Sequence, residues 1–481
     1  GGGVVSLDPK LMEMLVYRQS PYYMMEDTYE RNAAFYANAD YTFDRRYSIS
    51  ASARYDGSNQ LGRGAAKRWL PTWTFAGKWI ISNEAFMENA SRIVDFMSLR
   101  ASYGLTANIP PSASNAMALY YNQELYRPGN AEVGITLADL QNTELTWEKN
   151  YQLNVGFDLT LFGGRLDFNV DYFNRQGFDL ISQIKVAGIG GFMWKNANYA
   201  DLDSQGVDIT LGGKMISTKD WTWSAHFTFG YSKNIIRNAK NSPEVFELVR
   251  QEGGNKNNYP VNSLFSIPFA GLNPETGIPM FYNEKGEIGY DCYMQGIETD
   301  FLKYEGQIDP KYTGGLNTTL RWKSLSMNLF FTFQAGNVIR LNPVFSSSYS
   351  DITALPNEFK DRWIMSGDEQ RTDIPAIADN LMQKLYLSSA YPYNNYNYSS
   401  ARVAKGDFIR LKSLSINYEL PSALVRKSRV FKRAAVRLTA KDLWLMYSDK
   451  ALNGQDPEFF NTGGVAMPVQ TQFVLSLDLG F

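Results

Sequence analysis

Apolar and polar residues alternate strictly over long stretches of this chain. Phe473, Leu475, Leu477, Leu479 and Phe481 share one side of an extended segment. Gln472, Ser476, Asp478 and Gly480 share the other, and Val474 is the one exception. A period of two puts such sets on opposite faces of a sheet. Tyr47, Ile49, Ala51, Ala53 and Tyr55 alternate in the same way with Arg46, Ser48, Ser50, Ser52 and Arg54. Tyr151, Leu153, Val155, Phe157, Leu159 and Leu161 alternate with Gln152, Asn154, Gly156, Asp158 and Thr160, and Phe162-Gly163-Gly164-Arg165 then marks a tight hairpin. Trp221 to Tyr231 and Met327 to Phe333 repeat the pattern. Any one of these strands fits a β-sandwich as well as a transmembrane barrel.

The connections separate the two. The alternation predicts about fifteen strands, including 262–272 and 278–284. The links near 44, 82–94, 163–164, 214–219, 273–277, 323–324 and 421–431 are short or moderate. Those at 57–69, 107–148, 177–196, 235–261, 285–310, 337–405 and 447–468 are mostly long. Short and long links take turns. In an up-and-down meander this gathers the short turns at one end and the long loops at the other, as in outer-membrane barrels. A Greek-key sandwich does not sort its loops in this way. The expected fold is therefore all-β, a transmembrane antiparallel up-and-down β-barrel. Residues 1–28 read as an extracellular or irregular segment with a short helical stretch near Leu11–Val16, and 29–481 as barrel. The carboxyl end then lies on the periplasmic side. Phe408 and Ile409, followed by Leu411 and Leu414, slip the alternation by one and predict a bulge, and Asp442 breaks phase as well.

Composition agrees. Aromatics make up 14% of the chain, which suits two interfacial belts. No run approaches the length of a transmembrane helix, and this leaves a barrel open because each strand shows lipid only at alternate positions. The formal charge of −2 offers no basic field for nucleic acid. A single cysteine, Cys292, rules out an internal disulfide, and a single histidine, His226, rules out a histidine metal cluster. No metal or cofactor is expected.

Several short motifs resemble one family. Arg54-Tyr55-Asp56-Gly57-Ser58, Leu70-Pro71-Thr72 with Gly77-Lys78-Trp79, Leu99 to Asn108, Leu145-Thr146-Trp147-Glu148-Lys149 and Gln205-Gly206-Val207-Asp208 come first. Gly314-Gly315-Leu316, Phe408 to Lys412, Leu420-Pro421 and Asp456-Pro457-Glu458 follow. In order and spacing they resemble the SusC/RagA family of TonB-dependent outer-membrane transporters of Bacteroidota. Ala107-Asn108 and Lys441-Asp442-Leu443 depart from the family pattern. The resemblance implies a barrel of about twenty-two strands, with the plug, the TonB box and about seven strands upstream of this chain. It makes the terminal Phe481 the barrel-assembly terminus. It implies active import of an oligomeric nutrient, glycan or peptide, with no covalent chemistry. The partners implied are a SusD-like surface lipoprotein acting as a lid, TonB, outer-membrane lipid and a dimer of such transporter–lipoprotein pairs. A siderophore-type receptor, a passive porin or a barrel enzyme shares the strand pattern.

For contact with cargo, the tract Tyr391, Tyr393, Asn394, Asn395, Tyr396 and Tyr398, in the longest predicted loop, is the best candidate, and Trp194 is another. Aromatic faces stack on sugar rings, and asparagine amides both donate and accept hydrogen bonds. The same tyrosines would equally pack a structured loop. Arg54, Arg100, Asp158, Asp171 and His226 are expected to face the lumen, the four charged residues pairing with one another or with the plug. Gly188-Ile189-Gly190-Gly191 reads as a loop tip and Asn273-Pro274-Glu275-Thr276-Gly277 as a turn.

Overall fold

A computed structural model describes residues 30–110, 119–127, 130–137, 142–186, 194–343, 357–377, 391–427, 430–458 and 470–480. Thirteen strands form one antiparallel sheet in which each strand pairs with the next in the series. They are β1 (Asn32–Phe43), β2 (Tyr47–Ser58), β3 (Trp69–Ile80), β4 (Val94–Asn108), β5 (Glu148–Leu161), β6 (Leu166–Lys185) and β7 (Trp194–Ser217). After these come β8 (Trp221–Arg237), β9 (Tyr312–Trp322), β10 (Leu325–Ala335), β11 (Phe408–Glu419), β12 (Arg433–Ser448) and β13 (Gln472–Gly480). The all-β meander is as expected.

Register keeps like with like. Phe35, Tyr55 and Pro71 lie in one row, as do Tyr41, Ile49 and Gly77, while Asn38, Ser52 and Thr74 form a polar row on the other face. Among the described residues, the apolar face meets no other protein layer. Phe75, Phe473 and Leu475 are 58%, 69% and 73% exposed. A face this apolar and this uncovered needs a non-aqueous solvent. No helix among the described residues is long and apolar enough to cross a membrane, which says nothing about crossing by strands.

The turns at 44–46, 81–93, 162–165, 218–220, 323–324 and 420–432 lie at one end of the sheet. The strand ends that lead into the longer links, from β2 to β3, β4 to β5, β6 to β7, β8 to β9, β10 to β11 and β12 to β13, lie at the other. Lys323 and Phe162 adopt left-handed conformations at φ 51° and 59°, which closes the tightest hairpins with the twist that the strands require. Strands β6 and β7, at 20 and 24 residues, exceed the roughly ten residues that span a membrane, so this hairpin projects beyond the wall at the long-loop end.

Two expected wall strands are elsewhere. Segments 262–272 and 278–284 do not join the thirteen-stranded sheet. Ser263–Ser266 pairs with Lys303–Gln307, and Phe269–Leu272 pairs with Pro279–Tyr282, in small sheets of the link between β8 and β9. Alternation reports half-burial of a strand, not the sheet it joins, and here the buried sides face a local core. Because the misplaced strands are an adjacent pair, the alternation of short and long links survives. The turn at Asn273–Gly277 is present, with the Asn273 carboxamide accepting from Glu275 and Thr276 N–H, but it belongs to the long-loop end. The expected bulge near 408–414 is present as register shifts between β11 and β12, and Asp442 takes φ 51° within β12. Leu11–Val16, Gly188–Gly191 and Phe481 lie outside the described residues.

The described parts of the links between β8 and β9 and between β10 and β11 fold together into a cap. Val245, Leu248, Val249, Phe265, Ile267, Phe281 and Leu302 from the first share a buried core with Phe359 and Tyr396 from the second. The neighbouring pair Val338–Arg340 and Val403–Lys405 carries the chain from β10 into the cap and back toward β11.

Candidate functional site

Two surfaces carry the polar chemistry: the polar face of the sheet and the cap above its long-loop end. On the polar face, Arg100 of β4 lies opposite Gly156 of β5, which lies opposite Asp171 of β6. The guanidinium reaches over the glycine, with Nη2 donating to Asp171 at 2.5 Å and Nη1 to Asp158 at 2.7 Å. Ser98 and Asn169 also donate to Asp158, at 2.9 and 2.6 Å. Bidentate arginine–carboxylate geometry of this kind fixes both partners. Arg54 pairs within its own strand, Nε to Asp56 at 2.6 Å, and both border a cleft of about 840 Å³ with Asn32, Tyr36, Thr72 and Asn108 at the long-loop end. His226 stands opposite Asn317 on the same face, and Gly212 beside it leaves room for the ring.

The aromatic tract divides. Pro392–Asn397 is a short helix. Tyr393, Asn395 and Tyr396 are 2%, 2% and 1% exposed, so these three are not free to meet cargo as folded. Tyr396 packs edge-on against Phe269 and lies beneath the Arg402 guanidinium, and burial pushes its hydroxyl up to about 12. Tyr398 is half-buried against Phe246. Tyr391, 70% exposed, and Asn394 remain at the surface. The backbone of Trp194 opens β7 opposite Lys185 of β6.

Sequence reasoning missed the buried arginines. Arg340 donates to the carbonyls of Ser399 and Phe265 and to Ser266 Oγ, tying both cap links together. Arg402, 2% exposed, donates to the Asn342 carbonyl and to Glu358 at 2.6 Å. Arg410 on β11 pairs with Asp456 and, at 2.8 Å, with Glu458, while Lys412 reaches Asp442 at 2.8 Å. Phe408-Ile409-Arg410 and Asp456-Pro457-Glu458 are thus two motifs of one buried ion cluster. Arginine amid apolar neighbours is the only trace that this leaves in sequence. Other motifs converge at the long-loop rim. Leu145 and Trp147 pack with Leu61, the Trp147 indole donates to the Arg68 carbonyl, and Gly57 lies under the Trp69 ring.

The family model for TonB dependent receptor-like β-barrels matches residues 14–322. TonB-dependent receptor P3 of Formosa agariphila is 27% identical over 440 residues, covering 88% of this chain and 41% of the relative. TonB-dependent receptor SusC of Bacteroides thetaiotaomicron is 24% identical over 261 residues, covering 53% of this chain and 24% of the relative. Among solved structures, the RagAB peptide transporter superposes with a TM-score of 0.74 at 23% identity, covering 94% of this chain and 47% of that one. The chain spans less than half the length of the curated relatives it matches.

Proposed function

Because the chain belongs to the family of TonB dependent receptor-like β-barrels, we propose that it forms the wall and outer cap of an importer in the bacterial outer membrane. One observation carries this reading: a single meander divides into an uncovered apolar face and a polar face, with every long link at one end. The apolar face meets hydrocarbon and the polar face encloses the passage. The cap stands outside the cell and the short turns in the periplasm. Gly480 at the end of β13 lies opposite Arg433, beside the short turn 420–432, and so on the periplasmic side.

The cargo is an oligomeric nutrient, peptide or glycan, moved without covalent change. Likeness to SusC and to the fold of a peptide transporter supports this class over a ferric siderophore. A SusD-like lipoprotein closes on the exposed apolar side chains of the cap, among them Tyr293, Ile364, Met365 and Tyr391. TonB supplies the work through a plug. Arg100, Asp158 and Asp171 stiffen the lumen wall, and Tyr391 and Asn394 are the residues of the aromatic tract placed to meet cargo.

The test is growth of a deletion strain on oligopeptides or oligosaccharides as sole nutrient, with affinity purification of the tagged protein from membranes. Lost growth restored by the gene, together with a co-purifying surface lipoprotein, supports the reading. Unchanged uptake of both oligomers, or a defect confined to iron uptake, overturns it.

A further inference from the structure

Most cations on the polar face and around its rim are already engaged. Arg54, Arg100, Lys149, Arg237 and Lys412 each pair with a carboxylate, and Lys78 and Arg175 lie over the rings of Phe96 and Phe173. One patch gathers several cations that are not. Near the short-turn end a recess of about 240 Å³ is bordered by Arg165, Lys214, His226, Asn317, Thr319 and Asp167. Arg321 stands two positions beyond Thr319 on β9, on the same face. Among the described residues, Arg165, Lys214 and Arg321 have no carboxylate within ion-pair distance, and Arg321 makes only a long contact of 3.5 Å to the Thr222 hydroxyl. The one carboxylate in the recess, Asp167, already accepts from Thr160 at 2.9 Å. Asp208 lies on the same face of β7, beyond Thr210 and beside Gly230.

The backbone brings these cations together. The Lys214 N–H donates to the Arg165 carbonyl at 2.7 Å. Lys214 lies opposite Ser224, which lies opposite Thr319. The patch therefore crosses four adjacent strands, roughly 14 Å at about 4.8 Å per strand. Gly212 opens the floor, since a Cβ there would stand 3.0 Å from His226 Nδ1. Three cations against one engaged carboxylate raise a positive potential over a concave, low-dielectric wall. Two guanidinium forks and one ammonium are the donors that oxyanions accept from. Serine, threonine and asparagine alongside add neutral hydrogen bonds.

We propose that this recess is a binding site for an oxyanion group, a phosphate, sulfate or carboxylate, with Arg165, Lys214 and Arg321 as its cationic ligands and His226 at its edge. The inference stands on the polar face alone and does not depend on the identity of the cargo.

The test uses the intact protein in detergent micelles with labelled histidine, the His226 signal being assigned by its loss in His226→Gln. Phosphate, sulfate and acetate are titrated separately against chloride at constant ionic strength. Saturable movement of the His226 resonance at millimolar oxyanion, absent with chloride, is expected, and the ranking of the three identifies the preferred group. Arg165→Gln combined with Lys214→Gln abolishes the movement and leaves the folded spectrum unchanged. Equal movement with chloride, or none with any oxyanion, overturns the proposal. Because the wild-type comparison decides this alone, a double variant that fails to fold does not protect it.

Discussion

Arg100 and Asp171 sit on strands that are not neighbours, and they meet directly above Gly156 on the strand between them. A Cβ at position 156 would overlap both the Arg100 guanidinium and the Asp171 carboxylate. The glycine is therefore a gap through which one ion pair spans three strands. Gly156→Ala should destabilise the barrel by about 1–3 kcal/mol, as overpacking does. Pairing it with Arg100→Met should recover part of the loss, read from urea unfolding in lipid vesicles. A full additive loss in the double variant would show that the two positions do not share this contact.

The cap should come apart without the wall. Arg402 is buried and its carboxylate partner is Glu358. Removing one partner of such a pair costs about 3–5 kcal/mol because the other charge stays buried. Glu358→Gln should admit protease to 357–377 and raise amide exchange at Phe359 and Tyr396, while β8 to β10 stay protected. Equal protection of the cap in variant and wild type would refute this.

The segment 364–371 should loosen in acid. The Asp368 carboxylate is held below the usual range, first by the Met365 N–H at 3.0 Å, then by the Arg371 guanidinium and the Ile364 N–H. A depressed folded value means that its contribution is present above the ordinary carboxylate value of about 4. That contribution is lost as pH falls through the folded value. Amide exchange at Ile364 and Met365, corrected for its intrinsic pH dependence, should accelerate over that window. Asp368→Asn should show fast exchange at every pH.

Cys292 should resist modification. Burial pushes its thiol up to about 12, and the neighbouring Glu284 and Asp291 add to the shift. The thiolate is the reactive species, so a maleimide at neutral pH should label the protein only after denaturation. Rapid labelling of the folded protein would contradict the packing of Cys292 against the cap core.

The two faces of the sheet should answer charge differently. Phe75 stands on the apolar face between Ala51 and Tyr103, and Ser52 on the polar face between Asn38 and Thr74. Phe75→Arg should cost about 2–4 kcal/mol in a bilayer, whereas Ser52→Arg should assemble normally. Heat-modifiable migration of the assembled barrel reads both, and equal tolerance at the two positions would argue against a lipid-facing wall.

Sequence alone determined the strands, the face each one buries or exposes, and the sorting of short turns from long loops. Those properties repeat every second residue and need no partner to be read. It could not say that 262–272 and 278–284 leave the wall, because a half-buried strand looks the same beside a membrane as beside a local core. Nor could it separate Tyr391 from Tyr396, identical residues five positions apart, one exposed and one sealed beneath Arg402. The tertiary structure decided those points, along with the reach of Arg100 across Gly156 and the meeting of Arg410 with Asp456. Each depends on backbone segments distant in sequence coming within a few ångströms, and pairing across the sheet and packing of the cap bring that about.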